Sequence, residues 1–226
     1  MHTYLISDLH LAPERPDIAK AFSSFMTQQA PTAERLYILG DLFEYWIGDD
    51  AASLVGAEPI LALMKSVSAQ TECFFIAGNR DFLVRDEFEQ LSGFTVLPDE
   101  TVVDLYGVPT LLLHGDSLCT DDIKHQQFRA AMTTNREFCD QFLALPIPQR
   151  IEQAKQARMQ SGEHKSQVSQ GIMDVTTDAV DKAFVAHDVE RMIHGHTHRQ
   201  NTHDHHGRTR YVLGDWHSSS LSLIHI

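Results

Sequence analysis

Seven side chains of metal-binding type stand just past short apolar runs in this sequence: Asp8, His10, Asp41, Asn79, His114, His196 and His198. In chain order the fragments read Asp8-Leu9-His10, Gly40-Asp41, Gly78-Asn79-Arg80-Asp81, His114-Gly115-Asp116 and His194-Gly195-His196-Thr197-His198. Taken singly, most of these fragments are ordinary turns. The last packs three histidines into five residues, and five apolar runs each ending in a plausible ligand do not arise by chance. Carboxylate, imidazole and amide ligands together favour borderline to hard divalent ions such as Mn, Fe, Zn, Ni or Co. Asp41 has two oxygens and can bridge two ions. Two metals about 3.5–4 Å apart suit in-line attack on phosphorus, with one shared hydroxide as nucleophile and both ions screening the developing charge. The set therefore predicts a di-metal centre for phosphoryl hydrolysis. His194 reads as support behind the ligands. His203, His205 and His206 read as a solvated polar turn, and His2, His125, His164, His187, His217 and His225 show no partner pattern.

The positioning elements follow from the same runs. Residues 3–7, 36–40, 73–77, 110–113, 191–193 and 211–213 are short and near-continuously apolar, as strands buried on both faces are. Residues 17–30 and 59–69 carry apolar side chains at helical spacing and predict helices covering a sheet. Strand and helix alternate, which implies an α/β architecture with ligands gathered beyond the carboxyl ends of the strands. Residues 101–113 read as a β-hairpin, so the sheets are expected to be mixed. Residues 126–145 and 151–159 predict helices broken at Pro146-Ile147-Pro148. Residues 160–169 are polar and aperiodic and read as a loop, and 174–187 as a returning helix. The expectation is one domain over 1–226 with a helical insert at about 122–165 above the site. Its Phe128, Met132, Phe138, Phe142, Leu143 and Leu145, with Trp46 and Phe82, could line a groove for acyl chains. Arg129, Arg136, Arg150 and Lys155 could meet anionic headgroups.

Composition bounds the partners. A net charge of -13 over 226 residues argues against sequence-independent binding to nucleic acid. Three irregularly spaced cysteines make a disulfide framework improbable and favour a reducing compartment. The start MHTYLISDLHL lacks the basic and apolar regions of a signal peptide, and no stretch reaches the ~18–20 apolar residues of a membrane span. A cytoplasmic location follows as an expectation, with no obligate protein partner evident.

The ordered set Asp8-x-His10, Gly40-Asp41, Gly78-Asn79, His114, Gly195-His196-x-His198 resembles the calcineurin-like metallophosphoesterase superfamily. That resemblance implies a four-layered α/β/β/α sandwich. It also implies one metal on Asp8, His10, Asp41 and His198 and another on Asp41, Asn79, His114 and His196. More narrowly, ISDLHL, LGDLFEYWIGDD, AGNRDF, LHGDSLCTDD, IMDV and IHGHTHR are similar to the UDP-2,3-diacylglucosamine diphosphatase family of lipid A biosynthesis. The likeness implies two Mn²⁺ ions, a nucleotide-linked glycolipid substrate, and a peripheral position on the cytoplasmic face of the inner membrane. The products would be UMP and 2,3-diacylglucosamine 1-phosphate, formed by attack at the α-phosphorus. It assigns catalysis to Asp41, Asn79, Arg80 and His114, and substrate contacts to Asn79, Arg80, Asp122, Ser161 and His196. The family's Asn, and its Lys three residues on, fall at Lys165 and Val168 here, so Lys165 is expected to supply the cation from a shifted position.

Arg80 adds a physical argument. Most of the superfamily places His after the Asn as general acid, but arginine stays charged at neutral pH and cannot deliver a proton. A phosphate leaving from an anhydride needs little protonation, since its second pKa is about 6. A guanidinium grips phosphate oxygens in pairs. The sequence therefore favours an anhydride over an alkyl phosphate ester. The competing reading is a di-metal phosphodiesterase or phosphatase acting on a soluble nucleotide. A non-catalytic scaffold would lack ligands, and all seven are present.

Overall fold

The computed structural model describes residues 2–167, 171–217 and 222–226, and the side chains of 162–167 lie outside that description. In chain order the elements are β1 (Thr3–Ile6), α1 (Pro16–Gln28), β2 (Arg35–Leu39), α2 (Glu58–Ser68), β3 (Glu72–Ile76), α3 (Asp86–Ser92), β4 (Thr95–Leu97), β5 (Thr101–Leu105), β6 (Val108–Leu112), α4 (Ile123–Thr134), α5 (Arg136–Leu143), α6 (Ile147–Gln167), α7 (Thr177–His187), β7 (Arg191–His194), β8 (Asn201–His205), β9 (Arg208–Val212) and β10 (Ile224–His225).

Among the described residues, ten strands form two five-stranded sheets, ordered β10-β1-β2-β3-β4 and β5-β6-β7-β9-β8. In the first, β1 to β4 run parallel and β10 closes the edge antiparallel. The second is mixed, with β6, β7 and β9 parallel between two antiparallel hairpin partners. Alternation along each strand decides which layer a side chain joins. Leu5, Tyr37, Leu39 and Ile76 meet Leu105, Leu112, Ile193 and Leu213 between the sheets. Their sequence neighbours Ile6, Leu36, Ile38 and Phe75 face outward, onto Ile18, Phe22, Leu61 and Met64 of α1 and α2 and Phe88 of α3. On the far side, Leu111, Leu113 and Met192 pack on Val180, Ala183 and Phe184 of α7. The result is the α/β/β/α sandwich expected from the resemblance.

Three sequence expectations need correcting. First, residues 160–167, expected as loop, continue α6 to Gln167; Gln, Glu and Lys sustain a helix without an apolar stripe. Residues 168 and 169 of that stretch lie outside the described residues. Second, the helix expected over 126–145 is two, parted at Asn135, whose side chain accepts a bond from the Phe138 N–H at 3.0 Å and so starts α5. Third, His203 and His205 lie in the edge strand β8 rather than a turn, and the turn falls at 206–207, where both residues take positive φ. An edge strand is exposed enough to be polar, which hid its period. Among the described residues no helix is long and apolar enough to cross a membrane.

Candidate metal centre

The seven ligand candidates converge past the ends of β1, β2, β3, β6 and β7. Asp8, His10, Asp41, His196 and His198 all take φ between 50° and 65°, a left-handed backbone. Such a conformation costs non-glycine residues roughly 1–3 kcal/mol each and persists where surrounding structure enforces it. The turns are sharp because two loops nearly touch: a Cβ on Gly40 would lie 2.6 Å from the Gly78 Cα.

Two groups of donor atoms result. In one, His198 Nε2 lies 3.2 Å from Asp8 Oδ1 and 3.3 Å from His10 Nε2, with Asp41 Oδ2 3.8 Å from the same His10 atom. In the other, Asn79 Oδ1 lies 3.2 Å from His114 Nε2 and 3.0 Å from His196 Nδ1, and the two ring nitrogens are 3.2 Å apart. Asp41 turns Oδ1 to this second group, 3.5 Å from His114 Nε2. Its two oxygens thus face the two groups separately, as a bridging carboxylate must. The His114 Nδ1–H donates to the Leu39 carbonyl at 2.8 Å, which leaves Nε2 as its lone-pair donor.

Carboxylate oxygens and imidazole lone pairs packed this closely fit a divalent cation. Buried Asp8 Oδ1 faces the donor group and forms no hydrogen bond within the protein. Asp8, His10 and His198 offer donor atoms within 4.8 Å of one another, and so do Asp8, Asp41 and His114. The electrostatics agree. Burial would raise the Asp8 carboxyl, but the imidazoles of His198, His114 and His10 beside it hold it down at about 2. Burial would lower His114, yet Asp41, Asp8 and Asp116 hold it up at about 9. Burial instead pushes the His10 and His196 imidazoles down, which favours their neutral, lone-pair-bearing form. Asp81, entirely buried, stays out of the donor groups and instead accepts the amides of Leu42 at 3.2 Å and Gly78 at 3.4 Å, tying two ligand loops together. Burial and repulsion by Asp41 push its carboxyl up to about 7. His194 also stays behind the donors, buried, with its Nε2 3.0 Å from Arg210 Nη1.

A cavity of about 540 Å³ opens from the donor atoms beneath α4, α5 and α6. Trp46, Phe82, Phe128, Met132, Phe138 and Phe142 line it, together with Asn79, Arg80 and His196. Leu143 packs instead against the main core, and Leu145 is half-buried outside the lining. Asp122 lines the cavity and caps α4 by accepting the His125 N–H at 3.1 Å. Ser161 lines it too. The Lys165 side chain and Val168 lie outside what the structure describes.

Two supposed headgroup contacts are structural ties. Arg150 is 3% exposed, donating to the Ile47 carbonyl at 2.8 Å and clasping Asp50. Arg129 pairs with Asp99 and with Asp116 at 3.1 Å. Arg136 is exposed beside Asp140. Other residues enter the site unannounced. His125 sets its ring 5.3 Å from His196 and its Nε2 3.4 Å from Asp116, although its sequence surroundings gave no sign of it. Arg158 of α6 borders a small polar cavity shared with His10, Asp41 and His198 and pairs with Glu44. Glu44 and Asp215 stand behind His10 and His198, at 3.7 Å and 3.5 Å. A carboxylate at the second nitrogen is the usual companion of a metal-bound imidazole. The E of LFE, one turn past Asp41, was the available signal for Glu44.

Comparison with known proteins agrees with this geometry. The calcineurin-like phosphoesterase family profile matches residues 1–200. The chain is 48% identical to the UDP-2,3-diacylglucosamine hydrolase of Stenotrophomonas maltophilia (strain R551-3) over 99% of its length and 94% of the relative's. It is 47% identical to the protein of the same name from Xanthomonas axonopodis pv. citri, with the same coverage. A solved archaeal phosphodiesterase overlays at a TM-score of 0.47 with 12% identity, covering 95% of this chain and 84% of that one, a likeness too loose to bear on function. By its profile and its relatives, the chain belongs to the calcineurin-like phosphoesterase family, among the UDP-2,3-diacylglucosamine hydrolases.

Proposed function

We propose that this protein hydrolyses the pyrophosphate of UDP-2,3-diacylglucosamine in lipid A biosynthesis, giving UMP and 2,3-diacylglucosamine 1-phosphate. The observation that carries the proposal is the apolar cavity of about 540 Å³ opening directly onto the paired donor groups. A soluble nucleotide would have no use for six large apolar side chains there, while acyl chains would remove them from water. The relatives at 48% and 47% identity carry that substrate in their names.

In this reading Asp8, His10, Asp41 and His198 hold one Mn²⁺, and Asp41, Asn79, His114 and His196 hold a second. Two such ions would supply an activated water and screen charge on the transferring phosphoryl group. The protein's own part is orientation. Asp41 is fixed by the Arg80 N–H, which donates to Oδ1 at 2.9 Å. The buried Arg80 Nε has no hydrogen-bond partner, so the guanidinium is available to phosphate oxygens. It stabilises the departing phosphate without giving it a proton. Asp122, Ser161, Lys165 and His196 complete the substrate contacts in this proposal. The chain works as one domain over 1–226, with residues 122–165 as a lid, peripheral on the cytoplasmic face of the inner membrane.

The test is incubation with UDP-2,3-diacylglucosamine and Mn²⁺, following UMP, with Asn79→Ala as control. UMP well above the control is expected. No release, or equal turnover of a generic soluble phosphodiester, would overturn the assignment.

A further inference from the structure

Two cavities meet at the metal centre, and only one of them is apolar. The second, about 200 Å³, shares Asn79, Arg80, Arg158, His196 and His198 with the first and then runs on past His10 and Asp41 to Arg15, Glu44 and Asp215. Every side chain bordering it is polar or charged. A molecule lying across the five shared residues therefore has one end among aromatic rings and the other among guanidinium and carboxylate groups.

We propose that the outer part of this second cavity, past the ligand candidates toward Arg15, Glu44 and Asp215, is the nucleotide subsite, taking the ribose and uracil of the bound substrate and afterwards the UMP product. The inference rests on the substrate reading given above. Acyl chains belong in the apolar cavity, since burying Arg15 and Asp215 against hydrocarbon would strip them of water without return. In phosphoryl transfer the attacking and leaving oxygens lie roughly in line across phosphorus. The water oxygen bonds to the α-phosphorus and releases its proton to solvent, and the α-phosphorus–bridging-oxygen bond breaks with its electron pair going to the lipid phosphate. That phosphate leaves toward its own acyl chains, so the nucleoside must extend the other way. The polar cavity runs that way, past the ligand candidates to Arg15, Glu44 and Asp215.

The cavity's chemistry suits such a guest. Arg15 is already held in place, donating from Nη2 to the Trp216 carbonyl at 2.9 Å and from Nη1 to the Leu9 carbonyl at 3.4 Å. A guanidinium has five N–H donors, so three remain for a phosphate oxygen or a uracil carbonyl. Glu44 faces His10 and Arg158, and Asp215 faces His198 and His217, but each carboxylate has further lone pairs that can accept the paired hydroxyls of a ribose. Each is partly solvent-accessible, at 21% and 25% of its side chain.

The test uses the Mn²⁺-loaded wild-type protein and 4-thiouridine 5′-monophosphate, a photoreactive stand-in for UMP, with the labelled peptide mapped. Label is expected beside Arg15 or Asp215, blocked by UMP but not by 2,3-diacylglucosamine 1-phosphate. Label on Phe128 or Phe138, or blocking by the lipid product, would overturn the proposal. As a second arm, Arg15→Ala should weaken UMP binding about ten-fold, a lost charge-assisted contact, with lipid-product binding unchanged. Unchanged UMP affinity counts against the subsite; if the variant loses both ligands through misfolding, the wild-type labelling decides. Wild-type protein that labels as expected yet releases no UMP from the glycolipid would sink the substrate reading and leave the subsite standing.

Discussion

His10 and Glu44 face each other across 3.7 Å, imidazole Nδ1 toward carboxylate Oε2, while the other Glu44 oxygen is taken by Arg158 from α6. One carboxylate thus links a metal-ligand candidate to a helix above the site. Removing such a partner typically costs 10–100-fold in metal affinity or activity, so Glu44→Gln should weaken Mn²⁺ binding by about that factor. Metal titration by calorimetry would read it directly. Unchanged affinity would leave Glu44 with the Arg158 contact alone.

Arg80 lies beside Asp41 with its Nε 3.9 Å from Oδ2. Losing one preorganised donor to developing charge costs about 100-fold or more in kcat. Arg80→Ala should show a loss of that order on the pyrophosphate substrate, and Arg80→His should fall below wild type at pH 8, where a neutral imidazole no longer offers a cation. Steady-state kinetics at saturating substrate checks both. A histidine variant with full activity would contradict the role given to this guanidinium.

Gly48 sits at φ 119°, and a Cβ there would come within 2.6 Å of Arg150 Nη1 and 2.7 Å of Leu143. Both neighbours belong to the helices above the site. Gly48→Ala should destabilise the fold by roughly 1–3 kcal/mol through strain and overpacking. Thermal melting would show it, and hydrogen exchange should rise first in α5 and α6.

The Asp50 carboxyl is held below its ordinary 3.8 by hydrogen bonds from Arg150. The folded state therefore binds this proton more weakly than the unfolded chain. The resulting stability is present above 3.8 and disappears as pH falls through the lower folded value. Asp50→Asn should melt below wild type at pH 7, with the gap shrinking from about pH 5 downward. A gap that stays constant into acid would mean the contribution is not ionic.

Cys73, Cys119 and Cys139 are all buried. Burial pushes the Cys73 thiol up to about 12 and raises Cys119 as well. Thiolate is the reactive form, so the native protein should resist a thiol reagent at pH 8 and yield three equivalents once denatured. Rapid native labelling of any of the three would show local opening.

The strands and the seven ligand candidates were readable because both are local facts: an apolar run, and the polar residue that ends it. Burial on two faces writes itself into consecutive positions, and a turn beside a metal needs particular residues in a particular order. The edge strand β8 and the Asn135 break left weaker marks, since an exposed edge tolerates any polar side chain and a cap is a single residue. What the chain could not announce were the long-range meetings. Arg158 reaches Glu44 across 114 positions, and His125 comes to rest against His196. Arg150, readable as a surface cation, is buried on Asp50 and the Ile47 carbonyl. Each depends on where α4 and α6 settle against the loops after β2 and β7. That docking is fixed by the summed packing of many side chains, and no single stretch of sequence contains it.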